Sequence, residues 1–197
     1  LGSGLVEVLG HTTVIMTNPN YPAGANNRAV SAEGGIIRLH TAALSTQGPG
    51  GIGILSSGAG SGEVTADGLV QVTTKGWNAQ GVSAWNGGGI ELAQVDVLTQ
   101  GAGSAAVSNA NGGGRITLAG GALRTEGAGS AGIAQTVGTI EVSGPLVIET
   151  TGTDSPGVTL SGSGNLQLSQ TQIKTATDNS AGILVTNASS QGTTLTL

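Results

Sequence analysis

Two short segments match a motif that could hold the phosphates of a dinucleotide. Residues 48–53 (GPGGIG) and 127–132 (GAGSAG) both fit GxGxxG. Dinucleotide binding requires a strand before this motif and a helix after it. No helical pattern follows either segment, and both segments fall at the same point of a repeat. We therefore interpret them as turns and predict no cofactor site.

A serine nucleophile, a histidine base and a metal site are also poorly supported. Residues 153–157 (TDSPG) superficially look like a nucleophile loop, but they occupy the same recurring turn. His11 and His40 are the only histidines, and the absence of Cys excludes disulfides and thiolate metal sites. The four Asp residues are scattered, without the oxygen cluster that calcium needs. The sequence thus predicts no catalytic residue and no metal ligand, and we expect a protein that is not an enzyme.

Composition and charge limit the function classes further. The chain has 197 residues, of which 37 are Gly, and only 9% are charged, far below the usual quarter. The net charge is −5, and the few basic residues do not form the stripe that tracks phosphates, so nucleic acid is not an expected partner. No apolar run is long enough to cross a membrane as a helix, so this chain is not expected to insert into a membrane. No signal peptide is visible, and we expect residues 1–197 to be a single-domain fragment of a longer protein.

The elements that must position any site follow a repeat of about 25 residues. Its first-strand positions recur at nearly even spacing, at Val30, Ile54, Val82, Val107, Ile133, Val158 and Ile183. Each unit contains three short segments in which apolar and polar residues alternate, as in strands. Glycine-rich corners separate the segments, and no helical period is present. The pattern predicts an all-β solenoid, a parallel β-helix with three strands per turn and about six to seven turns.

The alternation also predicts which residues face inward. A second strand column and a third strand column repeat in every coil, where a coil is one turn of the solenoid. The second column reads Ile37/Leu39, Val64/Ala66, Ile90/Leu92, Ile116/Leu118, Ile140/Val142 and Leu166/Leu168. The third reads Leu44/Thr46, Val72/Thr74, Val97/Thr99, Leu123/Thr125, Ile148/Thr150 and Ile173/Thr175.

The corner from the third strand to the next first strand has a constant length of ten residues over six junctions. Its fourth position after the third-column residue is Gly in five of them: Gly48, Gly76, Gly101, Gly127 and Gly152. A fixed Gly predicts a positive φ, which only Gly adopts without cost. The Thr of each third strand is expected to bond along its column or to the corner backbone. On the outward face of the same strands, Arg124, Glu149 and Lys174 occupy equivalent positions of consecutive coils. Their alternating charges predict cross-strand ion pairs.

The only aromatic residues, Tyr21, Trp77 and Trp85, are the candidate binding residues. With Ile15 as the first third-strand residue, the corner that ends at Val30 contains a five-residue insertion relative to the other six junctions. That insertion contains Tyr21, and Trp77 lies in the same type of corner, while Trp85 is expected to point outward. We predict that all three lie along one edge of the rod, where aromatic side chains favour recognition. The alternative is that each ring only covers a glycine-rich corner.

The units around residues 81–84 (GVSA), 89–92 (GIEL) and 97–101 (VLTQG) resemble the passenger domains of bacterial autotransporters of the pertactin-like class. The pattern T-x-G-x-x-x-x-G-[VI] followed by G-G-x-I-x-L is typical of that family, and the resemblance covers essentially the whole chain. It implies a right-handed β-helix, exported through the outer membrane by a separate C-terminal β-barrel. It also implies a virulence factor at the bacterial cell surface or secreted, commonly an adhesin.

These expectations lead to three hypotheses about function. The first is an adhesin that binds a host surface protein, matrix or glycan, or an identical molecule on another bacterium. The second is a β-helix that binds or cleaves a polysaccharide, as in phage tailspikes and pectin lyases. The third is a structural spacer that holds a distal binding region away from the membrane.

Overall fold

The computed structural model describes residues 4–17, 27–58, 61–188 and 193–197. Within these ranges the chain forms eighteen strands and no helix. Parallel strands stack coil upon coil into a β-solenoid of about six turns. The all-β, parallel architecture predicted from the repeat is therefore confirmed.

Two sheets form the walls of the solenoid. The first contains β1 (Leu5–Met16), β3 (Ile36–Thr46), β5 (Glu63–Thr74), β7 (Gly89–Thr99), β9 (Arg115–Leu118), β10 (Gly121–Thr125), β12 (Thr139–Val142), β13 (Leu146–Thr150), β15 (Asn165–Leu168), β16 (Thr171–Thr175) and β18 (Thr194–Thr196). The second contains β2 (Arg28–Glu33), β4 (Ile52–Ser57), β6 (Gln80–Ala84), β8 (Val107–Asn109), β11 (Ile133–Gln135), β14 (Val158–Gly162) and β17 (Ile183–Ala188).

The register of these sheets confirms the predicted columns. In the seven-stranded sheet, Ile54 pairs with Val82, and Val107 pairs with Ile133. In the eleven-stranded sheet the inward residues of consecutive coils are likewise partners, for example Ile116 and Ile140. Branched and small side chains from all three columns form one continuous buried core, in which Ile116 and Ile140 are fully buried. Trp77 and Trp85 lie outside this core.

The division into three separate strands per coil holds only in the later coils. In β1, β3, β5 and β7 the second and third segments are one bent strand, with register shifts such as that between Leu39 and Ala42. A β-bulge lets the strand turn without losing its pairing. In the later coils the same bend contains residues that interrupt a strand: Gly120 and Gly121 at positive φ, Pro145, and Gln170 at φ 50°. Separate strands result there.

The prediction that Ile15 is the third-column residue of the first coil is wrong. Val14 pairs with Leu44, whereas Ile15 pairs with the outward Ser45 and is 58% exposed. Both residues are β-branched, so the alternation alone did not fix which of them faces inward. With Val14 as the reference, the corner before Val30 is one residue longer, and its insertion is six residues rather than five.

The predicted positive φ of the corner glycines is also wrong. None of the five corner glycines has a positive φ. For four of them, all but Gly48, the cause is the close approach of consecutive coils: a Cβ on Gly127 would lie 2.0 Å from the carbonyl oxygen of Gly101. The positive φ falls two residues later, at Gly50, Asn78, Gly103, Gly129, Asp154 and Asn179. Those positions hold the residue types that tolerate the left-handed conformation.

The stacked corners are connected by side-chain hydroxyls. The predicted bond from the Thr column to the corner backbone is confirmed in the later coils, where Thr125 Oγ1 donates to the carbonyl of Ser130 at 3.0 Å and Thr150 donates to that of Ser155 at 2.7 Å. The hydroxyls of Thr46 and Thr74 in the earlier coils are buried and have no partner among the described residues. A second column, which sequence reasoning missed, contains Ser104, Ser130, Ser155 and Ser180. Ser130 Oγ accepts from the backbone N–H of Ser104 at 3.0 Å and donates to the Gly101 carbonyl at 3.0 Å. We call these four residues the serine ladder.

Candidate functional site

Trp77 is the most exposed aromatic residue of the described chain. It lies in the corner between β5 and β6, and its side chain is 55% exposed. The neighbouring coils hold its backbone on both sides. The Gly50 N–H donates to the Trp77 carbonyl at 2.9 Å, and the N–H of Asn78 donates to the Ala102 carbonyl at 2.8 Å. Trp77 therefore presents an indole ring to solvent from a fixed piece of backbone.

Trp85 lies outside the core but is only partly exposed. It follows β6 directly, and the guanidinium carbon of Arg28 lies 5.5 Å from the centroid of its ring. Arg28 also forms an ion pair with Glu33. The indole Nε1 of Trp85 is buried and has no hydrogen-bond partner among the described residues. Trp85 is thus packed within a cation–π contact instead of standing free in solvent.

The two tryptophans do not lie on one edge, which corrects the predicted arrangement. Trp77 precedes β6 and Trp85 follows it, so they lie at opposite ends of that strand. Seven residues separate them, and five of these form β6. Tyr21, the third candidate residue, lies outside the described residues together with the rest of residues 18–26. Among the candidate residues that the structure describes, only Trp77 has a side chain that is more than half exposed.

A groove runs along the bend of the eleven-stranded sheet, where β1, β3, β5, β7 and β9 follow one another. It has a volume of about 610 Å³ and is lined by ionisable side chains from four coils, including Glu7, Arg38, His40, Asp67 and Glu91. His40 Nδ1 lies 2.7 Å from the Asp67 carboxylate, and both side chains are more than half exposed. Among the described residues, Arg38 and Glu91 take part in no ion pair.

The His40–Asp67 pair could have been predicted from the sequence. His40 directly follows Leu39, and Asp67 directly follows Ala66, and these two inward residues are register partners. Residues at the same offset in neighbouring coils lie about 4.8 Å apart. The pair lies outside the third strand column, where the alternating charges are evident from the sequence.

A row of alternating charges crosses the third column of the sheet. Arg124 lies 2.7 Å from Asp96 and 3.5 Å from Glu149, and Lys174 lies 3.0 Å from Glu149. The hydrogen bond and charge of Lys174, assisted by Arg124, hold the pKa of the Glu149 carboxyl below its ordinary value. The predicted cross-strand ion pairs are confirmed, and each carboxylate is used in pairing.

The turns that match catalytic or phosphate motifs have structural roles here. Strand β4, not a helix, begins within the first GxGxxG segment at Ile52, and β11 follows the second. Ser155, the serine of the 153–157 segment, is fully buried; its Oγ accepts from the Ser130 N–H at 3.1 Å and donates to the Gly127 carbonyl at 3.0 Å. Its hydroxyl is a member of the serine ladder.

Three further observations concern metal binding, membrane spans and comparison with known proteins. No group of three or more His, Asp or Glu side chains in the described ranges is arranged to hold a metal ion. Those ranges contain no helix that could span a membrane. Comparison of the chain with models of known families, with curated proteins and with solved structures returned no match.

Proposed function

We propose that this chain is a segment of a surface-displayed autotransporter passenger that acts in attachment, without enzymatic activity. The observation that supports this most is Trp77, an exposed indole ring on a backbone segment that is hydrogen-bonded to the coils before and after it. Large aromatic side chains supply much of the binding energy at protein surfaces. Because the backbone is already fixed, binding has to order only the side-chain torsions of the ring.

The rest of the corner column supports the same assignment. Trp77 occupies a position that holds Pro49, Ala102, Ala128 and Thr153 in other coils. A residue that only completed the turn would need no large apolar side chain, since Ala serves in two coils. The partner would be a host surface protein, matrix or glycan, or a second copy of the passenger, at the bacterial surface or after secretion.

Adhesion of cells that display the passenger tests the proposal. Trp77→Ala should reduce attachment to a matrix-protein and glycan array by about tenfold or more, the loss typical of a binding hot spot. Thr153→Ala, in the same corner position three coils away, is the matched control and should leave attachment unchanged. Both variants should keep the melting temperature of the parent, because neither side chain is part of the core. Unchanged attachment by folded, displayed Trp77→Ala would favour the spacer hypothesis.

The groove supports a second candidate function, binding of a linear polysaccharide. It crosses several coils and offers charged and hydroxyl-bearing side chains at regular axial intervals, which suits an extended chain of hydroxyl groups. Arg38→Ala and Glu91→Gln would then abolish capture of a glycan on an array, while Trp77→Ala would not. An unchanged glycan profile in both groove variants would eliminate this candidate.

A further inference from the structure

The chain contains two Asn-Gly pairs, and they occupy the same turn of neighbouring coils. Asn86-Gly87 lies between β6 and β7, and Asn111-Gly112 lies between β8 and β9. Each pair has two positive φ values, 47° and 81° in the first and 52° and 85° in the second. Both turns are closed by one backbone bond, from Gly88 to Trp85 at 2.9 Å and from Gly113 to Ala110 at 3.1 Å. Both asparagines are exposed.

An Asn-Gly pair can modify itself without an enzyme. The backbone nitrogen of the glycine, after losing its proton to solvent base, attacks Cγ of the asparagine. The new N–Cγ bond closes a five-membered imide, while the Cγ–Nδ2 bond breaks and releases ammonia. Water then opens the ring at either carbonyl and leaves an aspartyl or an isoaspartyl residue. Glycine favours the reaction because no side chain hinders its nitrogen.

The two pairs differ in the hydrogen bonding of the attacking nitrogen. The Gly87 N–H donates to the carbonyl of Gly113 in the next coil. The Gly112 N–H has no acceptor among the described residues. The Asn86 side chain also lies against the next coil, since a Cβ built on Gly112 would be 2.6 Å from its Oδ1. Attack at Asn86 must therefore break a hydrogen bond that attack at Asn111 does not.

We propose that Asn111-Gly112 is a site of spontaneous covalent modification in the folded protein, and that the next coil protects Asn86-Gly87 from the same reaction. The product adds a negative charge at the turn between β8 and β9. In the isoaspartyl form it also lengthens the backbone at the residue whose carbonyl accepts the Asn86 N–H at 3.0 Å. The modification thus acts on the contact between two coils.

Peptide mapping by mass spectrometry after incubation at mildly alkaline pH tests this proposal. In the folded protein, Asn111 should deamidate at least about fivefold faster than Asn86, the factor that one ordinary hydrogen bond supplies. In denaturant the two rates should be equal, because both asparagines precede the same Gly-Gly-Gly sequence. Asn111→Gln should remove most of the isoaspartate formed by the folded chain, and Asn86→Gln should remove little.

Three results would overturn the proposal. One is equal rates at the two sites in the folded protein, and another is faster reaction at Asn86. The third is the absence of reaction at both asparagines in the folded protein while both react readily in denaturant, which would mean that the turn itself protects both residues. Circular dichroism of the two Gln variants verifies that each remains folded during the incubation.

Discussion

At the scale of single residues, the corner glycines are explained by contact between coils. Consecutive backbones approach so closely at Gly76, Gly101, Gly127 and Gly152 that a Cβ would lie about 2 Å from a carbonyl oxygen of the preceding coil. Two positions further on, the constraint is the backbone conformation, and Asn and Asp share that column with Gly. One corner therefore contains two glycine-favouring positions with different physical causes.

Substitutions at Gly127 and Gly129 should separate these causes. Gly127→Ala should destabilise the protein by about 2 kcal/mol or more, because the methyl group would displace the backbone of the coil that contains Gly101. Gly129→Asn should be nearly neutral, since Asn78 and Asn179 adopt the same positive φ in other coils. Urea denaturation of both variants measures the difference. A neutral Gly127→Ala would show that the coils can separate without cost.

The sequence located this glycine column but could not identify its cause. A positive φ and a close backbone approach both select Gly, so the two causes give the same pattern along the chain. The serine ladder was missed for a similar reason, because Ser is common throughout this chain and the coils before Ser104 have Gly51 and Ala79 at its position. Only the hydrogen-bond partners distinguish Ser130 from a surface serine.

Glu149 gives a pH-dependent prediction at the residue scale. Lys174 and Arg124 lower the pKa of its carboxyl, so its contribution to stability is present above the unfolded-state pKa and is lost as the pH falls through the folded-state value. Glu149→Gln should therefore lower the melting temperature at neutral pH and leave it unchanged in strong acid. Glu63→Gln, at an exposed carboxylate without an ion pair among the described residues, is the control and should have no effect at either pH. A constant difference across pH would exclude an ionic origin.

At the scale of elements, the alternation of side chains determines which face of each strand is buried. Ile116 and Thr117 are neighbours on β9, yet Ile116 is fully buried and Thr117 is only partly buried. Ile116→Asn should cost about 3 kcal/mol or more, because it removes a core side chain and buries an amide. Thr117→Asn should cost less than about 1 kcal/mol. Thermal melts compare the pair, and equal losses would contradict the register.

The strand columns could be predicted because inward residues repeat at nearly fixed intervals in every coil. The bends between second and third segments could not, because their sequences differ from coil to coil: residues 40–41 (HT) lie at a bulge, whereas residues 119–121 (AGG) lie at a break. Ile15 was predicted to face inward because the first coil has only one neighbouring strand, β3, to constrain its register. Trp85 packs against Arg28, which lies two coils earlier. The position of Trp85 relative to Val82 in the sequence does not reveal such a contact.

At the scale of the whole molecule, each coil contacts mainly the coil before it and the coil after it. Core residues of the middle coils, such as Leu118 and Leu123, are fully buried, whereas Ile173 and Ile183 near the last coil are only partly buried. In such a stack, stability is the sum of coil and interface contributions and varies along the axis. The attachment surface that we propose around Trp77 therefore depends on the stability of the coils next to it.

Hydrogen exchange measured by mass spectrometry should show this gradient. Backbone amides of β7, β9 and β10 should exchange at least about tenfold more slowly than those of β1 and β17, since the outer coils can open without disrupting the middle ones. Ile116→Asn should accelerate exchange most in β7, β9 and β12, the strand in which it lies and the strands that pair with it, and least in β1 and β17. The Thr117→Asn variant should keep the parent profile. Uniform protection along the chain, lost uniformly in Ile116→Asn, would instead show that the solenoid unfolds as one cooperative unit.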